Sequence, residues 1–127
     1  MPTTLQVQEA FRSVDEMRLD DFAALFTADG TMTFGNGEPT VGPVAVRAAL
    51  GDFYRILSGV RHEVKGAWIV GDVSINEAVV HYTMTDCSVV PIPVTSILRW
   101  EGDRVRDWRI YMDVAPVFAA AQATAAG

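Results

Sequence analysis

Residues 60–70, VRHEVKGAWIV, decide how this chain folds. Val60, His62, Val64, Trp68 and Val70 fall on one side of a period-two strand, and Arg61, Glu63 and Lys65 on the other. That alternation predicts a strand with one face turned to a core. One member of the apolar side is an imidazole, the side chain that most readily exchanges a proton near neutral pH. His62 therefore either sits satisfied in the core or lines a cavity.

Downstream the period continues. Residues 75–86, 89–101 and 104–114 read as further long strands. Between the strands lie the turn signals GD (71–72), DCS (86–88) and EGD (101–103), each short enough for an antiparallel hairpin. Upstream the period is helical. Thr3 with Gln6 forms a capping box, and Leu5, Val7, Ala10, Phe11, Val14 and Met17 recur at helical spacing. Asp20 is the expected cap of a short helix, DDFAALFTAD (20–29), which Gly30 ends. TMTF (31–34) reads as a brief strand, followed by the turn GNGEP (35–39) and a return through Thr40 and Val41. Gly42-Pro43 opens a third helix, PVAVRAALGDFYRIL (43–57), which Ser58-Gly59 stops.

Helices followed by a meander make an α+β plan. The expectation is one domain over 1–127, with helices and a short hairpin in 1–59, an antiparallel meander in 60–114 and a tail in 115–127. The tail is read as a frayed helix or a disordered segment. A strongly curved antiparallel sheet with three N-terminal helices packed on its concave face can enclose a pocket.

Composition narrows the function. At 127 residues and 50% hydrophobic content the chain can bury a real core. A formal charge of −6 without a Lys/Arg cluster argues against a nucleic-acid partner. The single cysteine, Cys87, excludes an internal disulfide. The N-terminal stretch lacks an apolar signal core and no segment is long enough to span a bilayer, so no membrane partner and a cytoplasmic location are expected. No His, Cys and carboxylate set has metal-site spacing, and neither metal nor cofactor is expected.

The segments DDFAALFTADGTMTF (20–34), GNGEPTVGPVAVRAAL (35–50), RHEVKGAW (61–68) and GDRVRDWRIYMD (102–113) occur in an order that resembles the SnoaL-like branch of the nuclear transport factor 2-like superfamily. The resemblance covers nearly the whole chain and implies the cone-shaped fold, which hosts unrelated chemistries. The three working positions of ketosteroid isomerase fall on Ala10, Phe34 and Ser96, which cannot do that job. For limonene epoxide hydrolase, Phe34-Gly35-Asn36 keeps only the amide, His81-Tyr82-Thr83 stands for the Arg-x-Asp pair, and Ile110 replaces the last-strand aspartate. Scytalone dehydratase and its dehydrochlorinase relative pair an aspartate late in the first helix with a histidine at the start of the first long strand. Asp15 and His62 match those positions, although the dehydratase's two tyrosines fall on Val14 and Phe34. A buried carboxylate accepting one ring N–H would fix the tautomer and raise the basicity of the other nitrogen. The other reading of Asp15 is an exposed carboxylate beside Glu16.

If hairpin pairing follows the turns, His62 lies beside Thr83 and His81 beside Val64. Val79, His81 and Thr83 then share the concave face with Val94, Ser96 and Ile92, and with Trp108, Ile110 and Met112. The alternative register buries Val80, Tyr82 and Met84 and turns His81 outward. Val14, Met17, Phe34, Asn36 and Phe53 complete the expected substrate-binding surface, with Val64 and Trp68 from the first long strand. Asp113 falls opposite by parity and reads as a strand-end hydrogen-bonding group. The resulting expectation is a cofactor-independent lyase or isomerase for a small hydrophobic molecule of polyketide, terpenoid or aromatic type, with His62 as general acid/base oriented by Asp15. The alternative is a non-catalytic small-ligand-binding or dimeric interaction module. A homodimer through the outer sheet face is expected, with Val80, Tyr82, Met84, Ile97 and Tyr111 supplying the apolar surface.

Overall fold

Thr3 caps the first helix as its spacing predicts. Its Oγ1 accepts the Gln6 N–H at 3.1 Å, and Gln6 Oε1 accepts the Thr3 N–H at 2.8 Å. In the computed structural model, which describes residues 1–126, this box opens α1 (Thr4–Asp15). The helix buries Val7, Ala10 and Phe11 and leaves Leu5 in solvent. Met17 lies past its end in the left-handed region, φ 56°. The second helix, α2 (Leu19–Ala24), is shorter than its sequence pattern suggests, and β1 (Phe26–Phe34) begins at once. Gly30 is therefore no helix stop. A Cβ there would lie 2.9 Å from the Val105 carbonyl oxygen, at a break in strand register that only glycine fits.

After β2 (Thr40–Val41), Gly42 at φ 89° turns the chain into α3 (Pro43–Tyr54), with Pro43 in the first turn. The remaining elements are β3 (Leu57–Val70), β4 (Val73–Met84), β5 (Val89–Glu101), β6 (Arg104–Tyr111) and α4 (Ala115–Ala126). Ser58 and Gly59 belong to β3 rather than ending a helix. The tail from Ala115 is helical and buries Val117 completely. Asp113 accepts the Ala115 N–H at 3.0 Å, so this strand-end carboxylate leads into α4.

The six strands form one curved sheet in the order β2-β1-β6-β5-β4-β3. All neighbours are antiparallel except β1 and β6, which run parallel, a pairing that hairpin logic does not reveal. The two edges are the short β2 and the long β3.

A bulge sets which side chains face the helices. The β3–β4 hairpin starts with Val70 opposite Val73 and holds that register to Gly66 opposite Glu77. Lys65 is then left over, and from Val64 opposite Ala78 the parity is reversed. His62 faces Val80, not Thr83, and Arg61, not Val64, faces His81. The buried face of β4 is thus Ser74, Asn76, Ala78, Val80, Tyr82 and Met84. Val79, His81 and Thr83 lie on the outer face, as does Trp68 beyond the bulge, opposite Ile75. Three residues expected on a dimer surface, Val80, Tyr82 and Met84, are core, while Tyr111 remains exposed.

The core is aromatic. Phe11 and Phe22 each sit 5.2 Å from Trp108 between ring centres, and Phe22 is 5.2 Å from Phe26. Burying one such side chain contributes roughly 1.5–3 kcal/mol. Beside this cluster, Trp100 Nε1–H donates to Ser74 Oγ at 2.9 Å, which satisfies two buried polar groups at once.

Candidate functional site

Asp15 is the last residue of α1, at the end where the helix dipole is negative. A carboxylate there is disfavoured unless something donates to it. His62 donates twice. Its main-chain N–H reaches Asp15 Oδ2 at 3.0 Å, and its ring Nδ1 lies 2.6 Å from Oδ1. Because β3 is the sheet edge, the outward N–H of His62 has no strand partner, and the helix-end carboxylate takes that role. An ionised carboxylate only accepts, so the proton of the neutral ring belongs on Nδ1 and the lone pair on Nε2. Nε2 has no hydrogen-bond partner among the described residues. The ring is otherwise held edge-on against Phe11, 5.2 Å between centres. With the His62 side chain 9% exposed, the contact is largely out of water.

The imidazole forms part of two walls. On one side, a cleft of about 510 Å³ opens between α1 and β3. Phe11, Asp15, His62, Val64, Ile69 and Asn76 line it, and Trp68 reaches its rim. On the other side is the interior of the cone, where only about 30 Å³ is free. Val14, Phe34, Phe53, Ser96, Trp108 and Ile110 border that space with His62, and Met112 joins them. Phe53 accounts for the tight fill, its ring 5.2 Å from Phe34, 5.3 Å from Tyr82 and 6.0 Å from Phe118 of α4.

The remaining expected lining residues stand elsewhere. Val94 is plain core at 4% exposure. Met17 packs on the core and borders neither space, because the chain has left the helical path. Asn36 is exposed in the turn after β1. The bulge removes His81 and Thr83 from the inside. His81 Nε2 instead meets Glu63 Oε1 at 3.0 Å on the outer face, where Lys65 also donates to Glu63 at 2.8 Å. These neighbours, Lys65 first and His81 second, hold the Glu63 carboxyl down at about 2.

Three polar groups of the interior escape a reading by alternation. Tyr54 O–H donates to the Val14 carbonyl at 2.8 Å. Tyr82 O–H has only the Met112 thioether, 3.8 Å away, a weak acceptor. Burial pushes both phenols well above the ordinary tyrosine range, with smaller contributions from Asp15 at Tyr54 and from Tyr54 and Asp15 at Tyr82. Asn76 is the third, buried in the cleft wall with no partner for Oδ1. The signal for Tyr82 and Asn76 was the alternative β4 register, which puts even-numbered residues inside. Among the described residues no three His, Cys, Asp or Glu side chains gather as metal ligands, and no helix is long and apolar enough to cross a membrane.

A curved six-stranded sheet closed by helices, with an aspartate–histidine contact on its wall, defines a protein of the nuclear transport factor 2-like fold class. The SnoaL-like domain model matches residues 7–108, and the chain belongs to that family. Solved structures agree on the fold. A protein of ketosteroid isomerase-like fold from Catenulispora acidiphila, in complex with trimethylamine, superposes with a TM-score of 0.82 at 20% identity, covering 93% of this chain and 92% of that one. A SnoaL-like polyketide cyclase candidate from Shewanella putrefaciens gives 0.81 at 12% identity, covering 98% of both chains. TerC, co-crystallised with polyporic acid, gives 0.77 at 10% identity over 92% of this chain and 95% of that one. No curated protein matches the sequence.

Proposed function

We propose that this protein is a cofactor-independent lyase or isomerase that moves a proton on a small, mostly apolar molecule of polyketide, terpenoid or aromatic type. The observation that carries the reading is the Asp15 carboxylate bridging the main chain and Nδ1 of His62, with no partner on Nε2 among the described residues and the His62 side chain in the wall of both the cleft and the cone interior. In this mechanism Nε2 takes a proton from a C–H or O–H of the ligand. The imidazolium that forms is stabilised by Asp15, and the same nitrogen returns the proton to a leaving oxygen or to another carbon. Asp15 acts as a positioning residue that fixes the tautomer. Apolar walls suit such a step, since a dry site strengthens the interaction of the developing imidazolium with its carboxylate.

Ligand-bearing neighbours of the same fold support small-molecule binding as the general task. One of them holds trimethylamine and another polyporic acid. A second reading, a binding module without chemistry, is favoured by the small free space in the cone, room for about one or two waters. Turnover separates the two. A panel of cyclic hydroxy-ketones and unsaturated ketones is incubated with the wild type and with His62→Ala, and products are followed by absorbance and mass. The enzyme reading expects turnover that falls about 10²–10⁴-fold in the variant. Equal turnover by His62→Ala would refute the role of the imidazole, and saturable binding without products across the panel would favour the binding module.

A further inference from the structure

We infer that the cleft between α1 and β3 is the ligand site, and that the Asn76 carboxamide recognises one hydrogen-bonding group on a small, uncharged, otherwise apolar molecule. Asn76 is 5% exposed, yet its side chain has no hydrogen-bond partner among the described residues and its Oδ1 is sealed from solvent. Buried amides without partners are costly and rare, so the protein gains by a partner that arrives from outside. A half-turn of the amide exchanges oxygen and nitrogen, and the cleft can therefore be offered an acceptor or a donor.

Size and charge set the class of ligand. The cleft, at about 510 Å³, lies in the range of small-molecule sites, whereas the cone offers about 30 Å³. Val7, Phe11, Val64 and Ile69 supply apolar walls. Neither charge at the cleft is left unmatched: Arg12 donates to Glu9 at 3.1 Å, and Asp15 is held by His62. A charged ligand would have to compete with those partners. His62 stands in the same wall as Asn76, so the bound molecule becomes the substrate if the proton-transfer reading holds, and only that last step rests on it.

The test uses benzamide as a probe with a carboxamide edge and toluene as an apolar control, each titrated into the ¹⁵N-labelled full chain. Benzamide is expected to shift the amide signals of Gln8, Phe11, Ala67 and Asn76. Asn76→Leu should weaken benzamide about tenfold and leave toluene within about twofold, the loss expected when one hydrogen bond is removed from a pocket of unchanged shape. Should Asn76→Leu fail to fold, Ala67→Phe fills the exposed mouth of the cleft and should abolish binding of both probes. Shifts confined to Phe34, Phe53 and Ile110 of the cone, no saturable shift up to about 10 mM, or an unchanged benzamide affinity in Asn76→Leu would each overturn the inference. Failure of the proton-transfer reading shows elsewhere, as undiminished turnover by His62→Ala, so the two fall separately.

Discussion

Replacing Asp15 tests the helix-end contact without needing a substrate. Asp15→Ala removes the acceptor of two hydrogen bonds, one from the His62 main chain at 3.0 Å and one from Nδ1 at 2.6 Å. Bonds to a charged group contribute roughly 1.5–3 kcal/mol each, and the low end suits a carboxylate 26% exposed. Relief of the unfavourable helix-dipole interaction returns about 0.5 kcal/mol. The net loss is about 2.5 kcal/mol, which lowers Tm by about 10 °C in a chain of this length. Asp15→Asn is more specific. Its carboxamide oxygen still accepts the main-chain N–H, but its nitrogen donates to Nδ1 and drives the ring proton to Nε2. Stability should fall by only about 1 kcal/mol, while the tautomer reverses. Long-range ¹H–¹⁵N correlation spectra of the His62 ring read that directly, alongside thermal melts. The Nε2–H form in the wild type, or a Tm loss under about 2 °C in Asp15→Ala, would show that the helix-end carboxylate does not hold the ring.

Other consequences are local. Gly30→Ala puts a methyl 2.9 Å from the Val105 carbonyl and should cost about 1–3 kcal/mol in chemical denaturation. Gly66→Ala meets only the half-exposed Trp68 indole at 2.5 Å, and should shift tryptophan fluorescence with a loss under about 1 kcal/mol. Ser74→Ala leaves the buried Trp100 N–H without its acceptor, so urea unfolding should show a loss of about 1–3 kcal/mol. Glu63 has a folded pKa of about 2 against an ordinary 4.5, so its contribution is full above pH 4.5 and is lost as pH falls through about 2. Glu63→Gln should therefore melt earlier than the wild type at neutral pH and low salt, with the gap closing over that acid range and shrinking in high salt.

Much of the architecture was legible because it rests on local signals. The capping box at Thr3 and Pro43 after Gly42 are each written in a few adjacent residues and appear in the fold, and the alternation holds from Val60 to His62, short of the bulge. The meeting of Asp15 with His62 came from family resemblance, since no local rule joins a helix end to a strand 47 positions away. What alternation could not see was the extra residue at Lys65. That bulge reverses parity between Val64 and Gly59, which moved Trp68 outward and put Asn76, Tyr82 and Val80 inside in place of His81 and Thr83. The parallel pairing of β1 with β6 was hidden for a similar reason, being a contact between distant segments without a turn to announce it.

If Nε2 of His62 transfers the proton, solvent isotope exchange measures that step alone. Cyclic ketones from the turnover panel are incubated with protein in D₂O, and loss of the C–H signal is followed by NMR. The wild type should exchange the hydrogen next to the carbonyl, and His62→Gln, which keeps a polar side chain in the wall, should be slower by about 10²–10⁴-fold. Exchange at the same rate in His62→Gln as in the wild type would rule out proton transfer by the imidazole.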